Sequence, residues 1–138
     1  MIQRNAMKSR RSVHFNARLP KEVSDRLRDY AERRRISASA AAVELLDEAL
    51  RMESFPGIDF RWTAIGRQPF VIGTGLAVWE LQHVWMDHGR NAQRVLKNYP
   101  HLNAAQIHAA VAYAQAFGQE EPRDFWGIKP PFARTLRV

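Results

Sequence analysis

Three side chains able to read base edges fall at alternate positions near the start of the chain: His14, Asn16 and Arg18. Arginine can pair bidentate with guanine, and asparagine with adenine, in the major groove of DNA. Each good pair discriminates against a wrong base by about 1–3 kcal/mol. The residues that alternate with them, Val13, Phe15, Ala17 and Leu19, are apolar. Period-two alternation places the two sets on opposite faces of a half-buried strand.

Pro20 ends that strand and suits the first position of a helix, where a missing N–H costs nothing. Val23, Leu27, Tyr30 and Ala31 then recur at helical spacing, predicting a helix over about 20–34. Arg35 to Ser39 reads as a turn with Ser37 as the cap of the next helix. That helix, Ala40 to Met52, has Ala42, Val43, Leu46, Ala49 and Leu50 on one side and Leu45 beside them. It is apolar around much of its girth, so burial on several sides is expected.

One strand and two helices cannot bury enough surface alone, and such units need disulfides, metals or oligomerisation. The chain has no cysteine, so disulfides and thiolate metal sites are excluded. The lone strand also leaves backbone groups unpaired. Two copies that pair their strands antiparallel and interlock their helices solve both problems. The polar rows of both strands would then face outward as a ribbon that fits the major groove. The alternative is an ordinary half-exposed strand in a small α+β domain.

Charge follows the same division. Residues 1–36 hold 11 Lys/Arg against 4 Asp/Glu, residues 37–122 hold 6 against 9, and residues 123–138 hold 4 against 1. A polyanionic partner near the N-terminus is therefore favoured over one that engages the whole chain. The arm of residues 1–11, with Arg4, Lys8, Arg10 and Arg11, is placed to follow phosphates. Arg33-Arg34-Arg35 reads first as a solvated helix end that suits the dipole. A direct phosphate contact there is the alternative.

The run His14-Phe15-Asn16-Ala17-Arg18-Leu19-Pro20-Lys21-Glu22-Val23 resembles the ribbon and helix start of the Arc/MetJ/CopG repressors. The spacing onward to Ser37-Ala38-Ser39 matches too. The resemblance implies a ribbon-helix-helix fold, an intertwined homodimer, and base contacts to operator DNA from His14, Asn16 and Arg18. It also implies phosphate contact at Ser37, Ala38 and Ser39, whose free N–H groups open a helix. Many such repressors carry an acidic residue soon after the second serine position, where Ala40 and Ala41 stand here.

Ser54-Phe55-Pro56-Gly57 breaks the pattern and sets a boundary at residue 53. Phe60 to Ile65 and Gln68 to Ile72, split by Gly66-Arg67, suggest a small hairpin. Helices follow over about 76–88, 91–98 and 103–117, with Asn91 and Asn103 as N-caps. Trp62, Trp79 and Trp85 are expected in the core. The stretch Gly66 to Thr74 with Val78-Trp79, and Tyr99-Pro100-His101-Leu102-Asn103 with Ile107, Ala110, Tyr113 and Ala114, resembles domain of unknown function 433. Gly75 stands where that family often has an arginine. The resemblance implies a trihelical, helix-turn-helix-like module over 54–118, of a kind met in VapB-type antitoxins encoded with PIN-type ribonuclease toxins.

Residues 119–138 read as an extended tail. By the same resemblance, Phe125, Trp126 and Phe132 would anchor in pockets of a toxin. Arg134 and Arg137, with Lys129 behind, would pair with the carboxylates of its metal site. The alternative is a tail folded onto its own module or onto the dimer mate.

The chain as a whole is expected to be mainly α. Its expected role is DNA-binding antitoxin and transcriptional autorepressor. A repressor with no toxin, and an interaction or scaffold module that binds no DNA, are the alternatives. No enzyme motif, cofactor loop or metal-ligand spacing is present; His83 and His88, five apart, fall on different helix faces. Met1 to Arg11 lacks the apolar stretch of a secretory signal, and no run approaches a membrane span. A cytoplasmic location is expected.

Overall fold

The computed structural model describes residues 11–118. Two units emerge, one ending at Glu44 and one beginning at Leu45. The described residues form five helices and a three-stranded antiparallel sheet, so the mainly helical expectation holds. The arm before residue 11 and the expected tail over 119–138 lie outside the described residues.

In the first unit, residues 11–20 carry no assigned secondary structure and are all exposed. The strand expected over Val13 to Leu19 is thus not formed as a ladder. The reason is physical: a strand is defined by a hydrogen-bonded neighbour, and none stands beside this segment among the described residues. Helix α1 spans Lys21–Arg34. Its ladder opens with Ser24 N donating to Pro20 O at 3.0 Å. It closes on Arg35, at φ 56° in the left-handed region, and Ile36 N reaches back to Ala31 O at 3.0 Å. That is a Schellman-type stop, made here without the usual glycine.

Helix α2 spans Ala38–Ser54. Ser37 caps it as expected, its Oγ accepting from Ala40 N at 3.0 Å. Val43, Leu46 and Leu50 share a stripe of α2 and are exposed, Val43 at 68%. Burial on several sides, expected for this helix, is not reached within one chain.

In the second unit, β1 (Ile58–Thr63) pairs with β2 (Gly66–Val71) from Ile58↔Val71 to Thr63↔Gly66. The turn is therefore Ala64-Ile65, two residues earlier than the Gly66-Arg67 break suggests. Thr63 fixes it: its Oγ1 accepts from Ile65 N and donates to Gly66 O at 2.7 Å. A third strand, β3 (Leu76–Ala77), pairs with Phe70 and Val71. Helices α3 (Val78–Asp87), α4 (Ala92–Asn98) and α5 (Ala104–Phe117) follow.

One core holds this unit together. Ile58 and Val71 from the sheet meet Leu81 and Val84 of α3, Val95 of α4, and Ile107 and Tyr113 of α5, all essentially inaccessible. Phe55, Phe60 and Phe117 surround the Tyr113 ring. Trp79 is buried and Trp85 half-buried, but Trp62 is 51% exposed. The expectation of a core Trp62 is corrected. It is the last residue but one of β1, near the hairpin tip and opposite Arg67, whose guanidinium lies 5.4 Å over its ring.

Candidate nucleic-acid interface

The residues proposed to read bases sit on the extended segment before α1. His14, Asn16 and Arg18 are exposed, and so are the apolar residues between them. Val13 is 92% exposed and Phe15 78%. A single chain therefore leaves both faces of this segment in water, the polar row and the apolar row alike. Arg11 is exposed as well. Arg10 lies outside the described residues.

The expected phosphate contact is the start of α2. Ser37, Ala38 and Ser39 are exposed. The first backbone bond recorded there is Ala41 N to Ser37 O at 2.9 Å, so the amides of Ala38 and Ser39 precede the ladder. Such leading N–H groups have no intrahelical acceptor and carry the positive end of the dipole.

The turn that presents them is braced from behind. Arg34 Nη2 donates to both oxygens of Glu44, at 2.7 and 2.8 Å. Tyr30 Oη donates to the same carboxylate at 3.4 Å. The Arg34 pKa is raised: burial alone would lower it, but the Glu44 hydrogen bond and charge outweigh that. Arg34 is thus engaged with Glu44, while Arg33 and Arg35 remain exposed. The basic run is a helix end in which the middle cation fixes the next helix. Sequence reasoning did not find this role, although Glu44, the one charged residue in the first half of α2, was a signal for it.

Among the described residues no group of three His, Cys, Asp or Glu side chains is placed to hold a metal ion. His88 is instead tied into the backbone, Nδ1 2.7 Å from Val84 O and Nε2 2.9 Å from Asn98 Nδ2. Among the described residues no helix is long and apolar enough to cross a membrane. The expected toxin-contacting residues Phe125, Trp126, Phe132, Arg134 and Arg137 lie outside the described residues.

Residues 63–114, from the end of β1 through most of α5, match the model of a family described as protein of unknown function (DUF433). No curated protein and no solved structure matches the chain.

Proposed function

We propose that this chain is a homodimeric DNA-binding protein, the antitoxin and autorepressor of a type II pair whose toxin is a PIN-type ribonuclease. One observation carries the DNA-binding part. The exposed polar row His14, Asn16 and Arg18 alternates with the exposed apolar row Val13, Phe15 and Leu19, directly before α1.

An apolar row this exposed is stabilised only when something covers it. Burying a Val or Phe side chain contributes about 1.5–3 kcal/mol. In this reading a second copy covers it, pairing the two segments as strands and turning both polar rows outward. The start of α2 then holds a phosphate with its leading amides. The toxin partner rests on the resemblance of the second unit to a module met in VapB-type antitoxins. Residues 119–138 would supply that contact through Phe125, Trp126, Phe132, Arg134 and Arg137.

The test has two arms. Full-length protein is titrated with operator-region duplex at graded salt, beside Asn16→Ala and Arg18→Ala. Each variant is expected to lose about 1–3 kcal/mol of preference for its site over random duplex. Unchanged preference rejects ribbon readout, and no duplex binding at any salt points to a scaffold module. In the second arm the chain is co-expressed with the neighbouring reading frame. Co-purification that is lost when the chain stops at Gly118 supports the toxin contact; no partner leaves a plain repressor.

A further inference from the structure

The charges of the second unit are not spread evenly. Arg51 pairs with Asp47 at 3.0 Å, Arg61 with Asp59 at 3.2 Å and Arg67 with Glu48 at 2.8 Å. Arg90, Arg94 and Lys97 have no ion pair among the described residues, and all three are exposed. Residues 88–118 contain no acidic residue. Asp87, exposed at the end of α3, is the nearest acid in sequence. Among the described residues of the unit, the positive charge without an ion pair is therefore gathered at the α3–α4 corner.

We propose that Arg90, Arg94 and Lys97 grip the phosphate backbone of a nucleic-acid duplex, without reading its bases. The proposal rests on the DNA-binding reading above and adds a second contact to it.

The corner is shaped to hold these side chains. Gly89 and Arg90 both sit in the left-handed region, at φ 68° and 57°. For arginine that conformation costs about 1–2 kcal/mol. Arg90 N bonds Trp85 O at 2.8 Å, and its guanidinium lies 5.9 Å over the Trp85 ring. A Cβ on Gly89 would stand 3.2 Å from Arg94 Nη1, so that guanidinium rests close against the turn. Arg94 and Lys97, three apart within α4, share one side of that helix, and Arg90 stands in the turn just before it.

The neighbourhood fits a phosphate backbone better than a protein. Asn91, Gln93 and Asn98 are the exposed side chains between and beside the cations. Arg, Lys, Asn and Gln are the usual donors to phosphate oxygens. A protein interface instead needs an apolar or aromatic centre. The large apolar side chains exposed among the described residues all lie at or before Ile72. The exposed side chains in the first two turns of α5 are Ala104, Ala105 and His108, too few polar groups to distinguish bases.

The test measures full-length binding to a short random-sequence duplex across a salt series. Each phosphate contact contributes about 0.9 to the slope of log K against log salt. The variant Arg90→Gln/Arg94→Gln/Lys97→Gln is expected to lose about 2.7 of slope per chain, and Lys97→Gln alone about 0.9. Arg61→Gln, which removes a paired arginine, should leave the slope within error. Lys97→Gln does not touch the left-handed turn, so it remains informative if circular dichroism shows the triple variant misfolded. An unchanged slope in folded variants overturns the proposal. If Asn16→Ala still abolishes site preference in that case, only this proposal falls. If the parent chain binds no duplex, both fall. A triple variant that keeps its duplex slope but loses affinity for poly-glutamate also overturns it, assigning the surface to an acidic polypeptide.

Discussion

Arg67 Nε donates to Glu48 Oε1 at 2.8 Å, joining the first turn of strand β2 to helix α2 through a carboxylate that is only 5% exposed. The second carboxylate oxygen lies 3.2 Å from the same nitrogen. The pair is asymmetric, because the Arg67 side chain keeps more contact with water than the Glu48 side chain does. Arg67→Gln should therefore cost more than Glu48→Gln, since it takes a charged partner from the more buried member of the pair. We expect about 3 kcal/mol for the first and about 1–2 kcal/mol for the second, by urea unfolding at fixed protomer concentration. Equal losses would contradict the asymmetry.

Gly57 is required for space. A Cβ there would lie 2.8 Å from Ala109 Cβ on α5, closer than two carbons can approach. Gly57→Ala is expected to destabilise by about 1–3 kcal/mol, the usual cost of overpacking. Adding Ala109→Gly should recover part of that loss. A thermal melt of the double variant no better than the single one would show that the strain lies elsewhere.

Helix α5 starts with a reciprocal cap. Gln106 N donates to Asn103 Oδ1 at 2.8 Å, and Asn103 N donates to Gln106 Oε1 at 3.0 Å. The Gln106 amide also reaches Ile72 O at 3.3 Å. Asn103→Ala should cost about 1 kcal/mol and Asn103→Asp much less, because aspartate keeps the accepting oxygen. Denaturant midpoints of the two variants would separate cap from side-chain bulk.

Glu80 gives the second unit a pH dependence of definite sign. Burial raises its pKa, against an opposing hydrogen bond from Ala77 N at 2.8 Å. Above the ordinary glutamate value of about 4.3 and below the raised value, the folded state holds more proton than the unfolded one. This group's contribution therefore falls as pH rises through that window and is flat above it. Glu80→Gln keeps an acceptor for Ala77 and cannot ionise. It should melt higher than the parent at pH 7 and show no gain at pH 4. A variant less stable than the parent at pH 7 would mean the carboxylate is favoured where it sits.

Local signals in the sequence carried far. Pro20 and the spacing of Leu27, Tyr30 and Ala31 place α1 within one residue of its observed start, and Asn91 and Asn103 mark the starts of α4 and α5. What escaped depends on distant partners. The first two residues of the helix expected over 76–88 are taken by the sheet as β3, because Phe70 and Val71 offer them backbone bonds. The hairpin turn moved because Thr63 closes it with its hydroxyl, a contact no periodicity reveals. For the candidate interface, alternation identified which residues face together on residues 13–19. It did not supply the neighbour that makes a strand, and a lone chain leaves both rows in solvent.

The buried Trp79 indole has a further use. Its Nε1–H donates to Gln68 Oε1 at 3.2 Å, and Gln68 Nε2 donates in turn to Thr63 Oγ1 at 2.9 Å. Indole has only that one proton to give, so the bond fixes which way the Gln68 amide faces. The proton is shielded until sheet and α3 separate, whereas the exposed Trp62 lies near the hairpin tip. In deuterated solvent the indole signal of the more exposed Trp62 should fade before that of Trp79, which exchanges only as fast as this unit opens. The tryptophans thus provide the chain with its own clock for local unfolding, readable by magnetic resonance without any label.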